Sequence, residues 1–145
     1  MPIVLWRDQM SLNYPPLDDE HQDFLNTVNQ SVVAANAGDL KTMDEVFEKC
    51  YDYVRYHFSH EEDVMERIRF PDMEAHMNAH QTFIRNISEF RQKYESAIDL
   101  TKKKKIAVDA ANFLNLWFLG HILSRDKLLK PYLVRLRNLP PRMNY

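Results

Sequence analysis

Glycine is almost missing from this sequence: Gly38 and Gly120 are the only two among 145 residues. So few argues against an all-β fold, whose tight turns consume glycine. Cysteine is represented by Cys50 alone. That excludes an intrachain disulfide and suits a reducing compartment. The place of Cys50 on an apolar stripe predicts a buried structural thiol. Neither sign of charge dominates. The 19 Lys and Arg against 21 Asp and Glu leave a formal net charge of −2, so neither nucleic acid nor an anionic membrane surface is an expected partner. The one basic run, Lys102 to Lys105, reads as the solvated start of a helix. Long apolar runs are absent too. The longest, Phe113 to Leu123, is interrupted by Asn115 and His121 and falls short of the roughly 20 residues a bilayer span requires. No membrane insertion is expected. Met1 to Asp8 lacks the basic start and apolar core of a signal peptide, and the expected location is cytoplasmic.

What the sequence does contain is four amphipathic stripes at steps of three and four. After an N-terminal arm (1–17) closed by Pro15-Pro16, Asp18 is the expected N-cap of a first helix running to Ala37, with His21, Phe24, Leu25, Val28, Val32 and Ala35 along one face. Gly38 stops it and Asp39 caps the next. The second stripe reads Leu40, Met43, Val46, Phe47, Cys50, Val54, His57, Phe58, Glu61, Met65, ending near Arg67. Pro71 suits the first turn of a third helix, whose stripe is Met73, His76, Met77, His80, Ile84, Ile87, Tyr94. Asp99 or Thr101 opens the fourth, with Ile106, Ala110, Phe113, Trp117 and His121. Short connections make an all-α, antiparallel up-down-up-down four-helix bundle over 18–137 the natural architecture. A tail (138–145) holding Pro140-Pro141 completes a single domain of 1–145.

The polar residues on those inward faces form a set. They are His21, His57, His76, His80, His121, Glu61 and Asp126, which take in all but one of the six histidines. Each costs several kcal/mol to bury without a partner. His57 with Glu61, and His76 with His80, are four apart and share a helix face. Seven such ligands are too many for one tetrahedral zinc. Two six-coordinate ions fit better. Five imidazoles, two bridging carboxylates and a solvent-derived bridging oxygen fill all positions but one, and a small molecule such as O2 fits the vacancy. Oxygen-activating di-iron bundles are carboxylate-rich and use Glu-x-x-His pairs; none occurs here. Phe58, Trp117, Phe118 and Ile122 offer an apolar lining. His60 lies off the second stripe and reads as a surface or supporting residue, and Glu62 as a surface salt-bridge partner.

His121 and Asp126 fit less easily. Five residues on a regular helix are separated by about 140°. The apolar pattern slips by one residue here and resumes as Asp126, Leu129, Leu133, Leu136. This predicts a widened, π-type turn between His121 and Asp126.

At these residues the sequence resembles the hemerythrins, closely the bacterial single-domain branch. The matching signatures are Asp19-Glu20-His21, His57-Phe58-Ser59-His60-Glu61-Glu62, His76-Met77-Asn78-Ala79-His80, and Trp117 before His121-Ile122 with Asp126 beyond. The resemblance covers about residues 5–136. It implies a four-helix bundle holding two iron ions with an oxo or hydroxo bridge. By position, His76, His80 and His121 would hold one iron and His21 and His57 the other. Glu61 and Asp126 would bridge, and O2 would bind the open iron. Many bacterial relatives have Trp-Leu where this chain has Trp117-Phe118. The larger ring is expected to narrow the oxygen pocket, with Gly120 compensating nearby. Trp6 has two readings, an anchor for the arm or a pocket wall. Reversible O2 binding without catalysis, for storage, delivery or buffering, is the expected function. The alternatives are an oxygen or redox sensor acting through a separate, unknown partner, or a di-iron enzyme of peroxidase or nitric-oxide-handling type.

Overall fold

The structure is a computed structural model describing residues 2–138; Met1 and residues 139–145, and with them Pro140-Pro141, lie outside the described residues. All regular structure among the described residues is helical. The first rod is α1 (Pro15–Ala37). The second is continuous through α2 (Leu40–Tyr53), a π-helical turn (Val54–Phe58) and α3 (Ser59–Arg67). The third is α4 (Met73–Ser96). The fourth runs through α5 (Leu100–Gly120), a π-helical turn (His121–Arg125) and a 3-10 helix (Asp126–Asn138). The first rod packs against the second and fourth, and the third against the same two, giving a four-helix bundle.

Local chemistry sets most of the ends. Gly38 sits at φ 67°, the left-handed conformation that ends α1. The Asp39 and Asp99 carboxylates accept the backbone N–H groups of Thr42 (3.1 Å) and Thr101 (2.9 Å), capping α2 and α5. Two expected starts shift. Asp18 is not the cap of α1, because Pro15 and Pro16 occupy its first positions, where their missing N–H groups cost nothing. Pro71 lies in the turn before α4, which begins at Met73. Asp18 is instead buried and ties down the arm: it accepts the Leu12 N–H at 2.8 Å and the Ser11 hydroxyl at 2.7 Å. Farther out, the Asn29 amide accepts the Val4 N–H (2.8 Å) and donates to the Val4 carbonyl (2.7 Å). Trp6, partly buried, packs against the main core.

The fourth rod differs from its sequence reading in the 3-10 winding of its end and in its apolar length. Leu100–Leu136 is 37 residues long and apolar enough, by length and composition, to cross a membrane. Its Ala107, Ala110, Leu114 and Phe118 are buried in the bundle, as in the core helix of a soluble protein. Lys105 pairs with Asp109 on its exposed face, as the solvated reading of the basic run requires. Cys50 is fully buried, and burial pushes its thiol up to about 12, so it fills space.

The apolar interior is in two parts. One contains Phe24, Val28, Phe47, Phe83, Leu114 and Phe118; the other contains Leu12, Leu17, Met65, Ile68, Leu129 and Leu133. Along every rod the candidate ligands fall between these clusters, so a polar layer crosses the bundle between two apolar ones.

Candidate metal centre

Each rod delivers its share of that layer by helical spacing. All seven side chains reach it, and none is more than 5% exposed. Glu61 is the pivot. Its Oε1 faces three imidazoles: His76 Nε2 at 2.5 Å, His80 Nε2 at 3.0 Å and His121 Nε2 at 3.9 Å. Its Oε2 faces two: His57 Nε2 at 3.0 Å and His21 Nε2 at 3.3 Å. Asp126 spans the same divide. Oδ1 lies 3.0 Å from both His76 and His121, and Oδ2 lies 3.2 Å from His21. Ligand atoms of Glu61, His76, His80, His121 and Asp126 lie within 4.8 Å of one another, as do those of His21, His57 and Glu61. The result is three imidazoles on one side, two on the other, and carboxylates between.

The fit of these groups to cations shows in how they fail to satisfy one another. His121 Nε2 and both Asp126 oxygens are buried without a hydrogen-bond partner among the described residues, despite the 3.0 Å separation of His121 and Asp126. Close but misaligned, they converge on a common space rather than on each other, as ligand atoms do and hydrogen-bonded pairs do not. The electrostatics agree. Burial pushes the Glu61 carboxyl up, but His57 and the other imidazoles overrule it and hold it well below the usual range. Burial pushes His57, His76 and His121 down, yet the negative charge of the facing Glu61 and Asp126 carboxylates, with Glu20 behind His57, raises each to about 9. His80, with burial prevailing, is lowered. Two buried carboxylates thus demand positive charge in this layer, and protons or metal ions can supply it.

The π-helical turn at His121–Arg125 is where the sequence pattern requires it. Widening one turn lets His121 and Asp126 share a face, and Leu129 and Leu133 follow on the buried side while Leu128 is exposed.

The sequence profile described as the hemerythrin HHE cation binding domain matches residues 13–133. The chain belongs to the hemerythrin family. It is 25% identical over 127 residues to a bacteriohemerythrin of Stenotrophomonas maltophilia, covering 88% of this chain and 79% of that one. It is 27% identical over 126 residues to one of Pseudomonas aeruginosa, covering 87% and 78%. With the Methylococcus capsulatus bacteriohemerythrin it shares 25% over 134 residues, covering 92% and 98%. A solved leucine-to-phenylalanine mutant superposes with a TM-score of 0.78 at 25% identity, covering 92% of this chain and 98% of that one.

Aromatic rings hold the hemerythrin layer in place. Phe58 stacks on His80 (3.8 Å between centroids, 4°) and Trp117 on His121 (4.4 Å, 12°). Phe118 and Ile122 are buried in the adjoining apolar cluster, where the Phe118 ring meets Phe24. Gly120 does not offset the Phe118 ring: it is exposed, and a Cβ there would meet nothing within 4 Å.

Three features escaped sequence reasoning. The π-helical turn at Val54–Phe58 is one; it buries Tyr53 and leaves Val54 only partly covered, although the stripe had placed Val54 inside. Tyr53 itself is the second, stacked on His57 (4.5 Å, 13°) and on Phe24 (3.8 Å, 7°). Its position one turn before His57 was the available signal. The third is Glu20, whose carboxylate accepts from Nδ1 of both His57 (2.7 Å) and His60 (2.8 Å). Partial burial pushes Glu20 up, but the two histidines hold it down at about 2. His60 therefore supports the layer from outside. Glu62 is half-buried, 3.9 Å from His80 Nδ1.

Proposed function

We propose that this hemerythrin binds O2 reversibly at a pair of iron ions and is not an enzyme. One observation supports this above the others: Glu61 presents three imidazoles to one oxygen and two to the other. On this reading His76, His80 and His121 hold one ion and His21 and His57 the second. Glu61 and Asp126, which face both groups of imidazoles, would be shared between the two ions. Two iron ions supply, when bound, one open coordination position at which O2 is taken up and released.

The chain's own residues do the rest. Five neutral imidazoles against two carboxylates give a ligand set short of the anionic donors that stabilise highly oxidised iron. Phe58 and Trp117, stacked on His80 and His121, and Phe118 and Ile122, buried in the adjoining cluster, give the layer an apolar surround that limits entry of water and protons. Phe118 narrows the space, since a phenylalanine ring fills more of it than leucine. The P. aeruginosa and M. capsulatus relatives, matched over 87% and 92% of this chain, carry the name bacteriohemerythrin, which supports a hemerythrin role here; the location proposed with it is the cytoplasm.

Counting electrons separates this reading from an oxidase or peroxidase. Ferrous-loaded protein exposed to O2 beside a mild reductant is expected to consume no reductant beyond slow autoxidation. Sustained consumption over many equivalents contradicts the carrier reading and supports an enzyme.

A further inference from the structure

His57 differs from His21, His76 and His80 in what holds its outer nitrogen. Its Nδ1–H donates to Glu20 Oε1 at 2.7 Å. The corresponding nitrogens of His21, His76 and His80 are buried with no hydrogen-bond partner among the described residues. Glu20 is gripped from its other side by His60, whose Nδ1–H lies 2.8 Å from Oε2 and 3.0 Å from Oε1. His60 and Glu20 are each 33% exposed, whereas the His57 side chain is 3% exposed. The three form a hydrogen-bonded chain from the surface to the layer.

The chemistry of that chain is directional. A neutral imidazole carries one proton. A carboxylate accepts and cannot donate, so Glu20 holds that proton on Nδ1 and leaves the Nε2 lone pair free for a cation. The Tyr53 ring, stacked on His57 at 13°, fixes the ring plane while Glu20 fixes its rotation within that plane. His57 stands on the side with two imidazoles rather than three. That position has fewer protein donors and depends more on how well each is aimed.

We propose that Glu20 is a positioning residue for the two-histidine metal position. It sets the tautomer and direction of His57 and thereby how tightly the second ion is held, with His60 keeping Glu20 in place. Glu20 does not touch the ions and acts through His57. This inference rests on the two-ion reading above.

The test is titration of the metal-free full-length protein with cobalt(II), followed by equilibrium dialysis and by the cobalt ligand-field spectrum. Wild-type protein is compared with Glu20→Ala, Glu20→Gln and His60→Gln. Wild type is expected to take two ions. Glu20→Ala should weaken the second ion about 10–100-fold and leave the first within about twofold, the range expected on removing a partner behind a metal-bound histidine. Glu20→Gln retains an acceptor oxygen and should fall between, and His60→Gln should shift the spectrum of the second step with a smaller loss of affinity. Equal weakening of both ions in Glu20→Ala, or no weakening of either, overturns the proposal and leaves the two-ion reading standing. A wild type that takes only one ion overturns both. Thermal melts of the metal-free variants report folding. Should Glu20→Ala fail to fold, unchanged second-ion affinity in both Glu20→Gln and His60→Gln also overturns it.

Discussion

Glu61 is the residue on which most of the layer turns. Its two oxygens set the spacing of five imidazoles, all within 3.9 Å. Glu61→Ala is therefore expected to abolish tight binding of the second cobalt or iron ion and weaken the first, as metal analysis after dialysis would show. His57→Ala should abolish the O2-dependent visible band of the iron-loaded protein; retention of full reversible binding contradicts the role given to His57. Acidity offers a test of the metal-free layer. His57, His76 and His121 are raised from 6.5 to about 9. Their contribution to folding is full below 6.5 and is lost as pH climbs through 9. His80 is lowered and works the other way, costing stability below its ordinary value. Metal-free protein should thus lose stability between about 6.5 and 9 in denaturant melts, while metal binding, which displaces those protons, strengthens over the same window. The seven side chains of the layer were legible in the sequence because imidazoles and carboxylates on inward faces have no cheap alternative. Glu20 and Tyr53 were not. Glu20 sits off the apolar face and acts through another side chain, and a tyrosine beside a stripe is ordinary core.

At the scale of elements, the four rods could be read because their apolar steps of three and four survive almost unbroken. The π-helical turn at His121–Arg125 could be read as well, from a five-residue step that a regular helix cannot carry. Its counterpart at Val54–Phe58 left no such trace, since the step from His57 to Glu61 is an ordinary four. Nor did any pattern announce the 3-10 winding of Asp126–Asn138. The first turn yields an asymmetric prediction. Deleting Leu123 leaves His121 and Asp126 four apart, about 40° on a regular helix. That variant should fold, keep Leu129 and Leu133 buried, and bind cobalt with an altered spectrum. Inserting one alanine after Leu123 turns Asp126 and everything beyond it by about 100°. It should lose both thermal stability and the second ion. Equal tolerance of the two changes contradicts the account of the turn. In the neighbouring turn of α5, Phe118→Leu should change the O2 on-rate or the autoxidation rate, measured by stopped flow; if neither moves, Phe118 does not line the pocket.

For the molecule as a whole, the layer divides the core and the N-terminal arm closes over it. Asp18 holds that arm through the Leu12 N–H and the Ser11 hydroxyl. Asp18→Ala strands a buried N–H and should cost about 1–3 kcal/mol in urea melts, with metal stoichiometry unchanged. Metal itself should matter more. It binds the folded layer and not the unfolded chain, so chelation should lower the melting temperature and make it depend on free metal concentration. What the iron-loaded layer does with oxygen decides its function. Its most direct test is one cycle on a single sample: load ferrous iron without air, add O2, sweep it out with inert gas, and add it again while recording the visible spectrum. Reversible binding gives an absorption band that appears with O2, vanishes on its removal and returns in full. A prompt one-way change to a spectrum that no longer responds to O2 would contradict it.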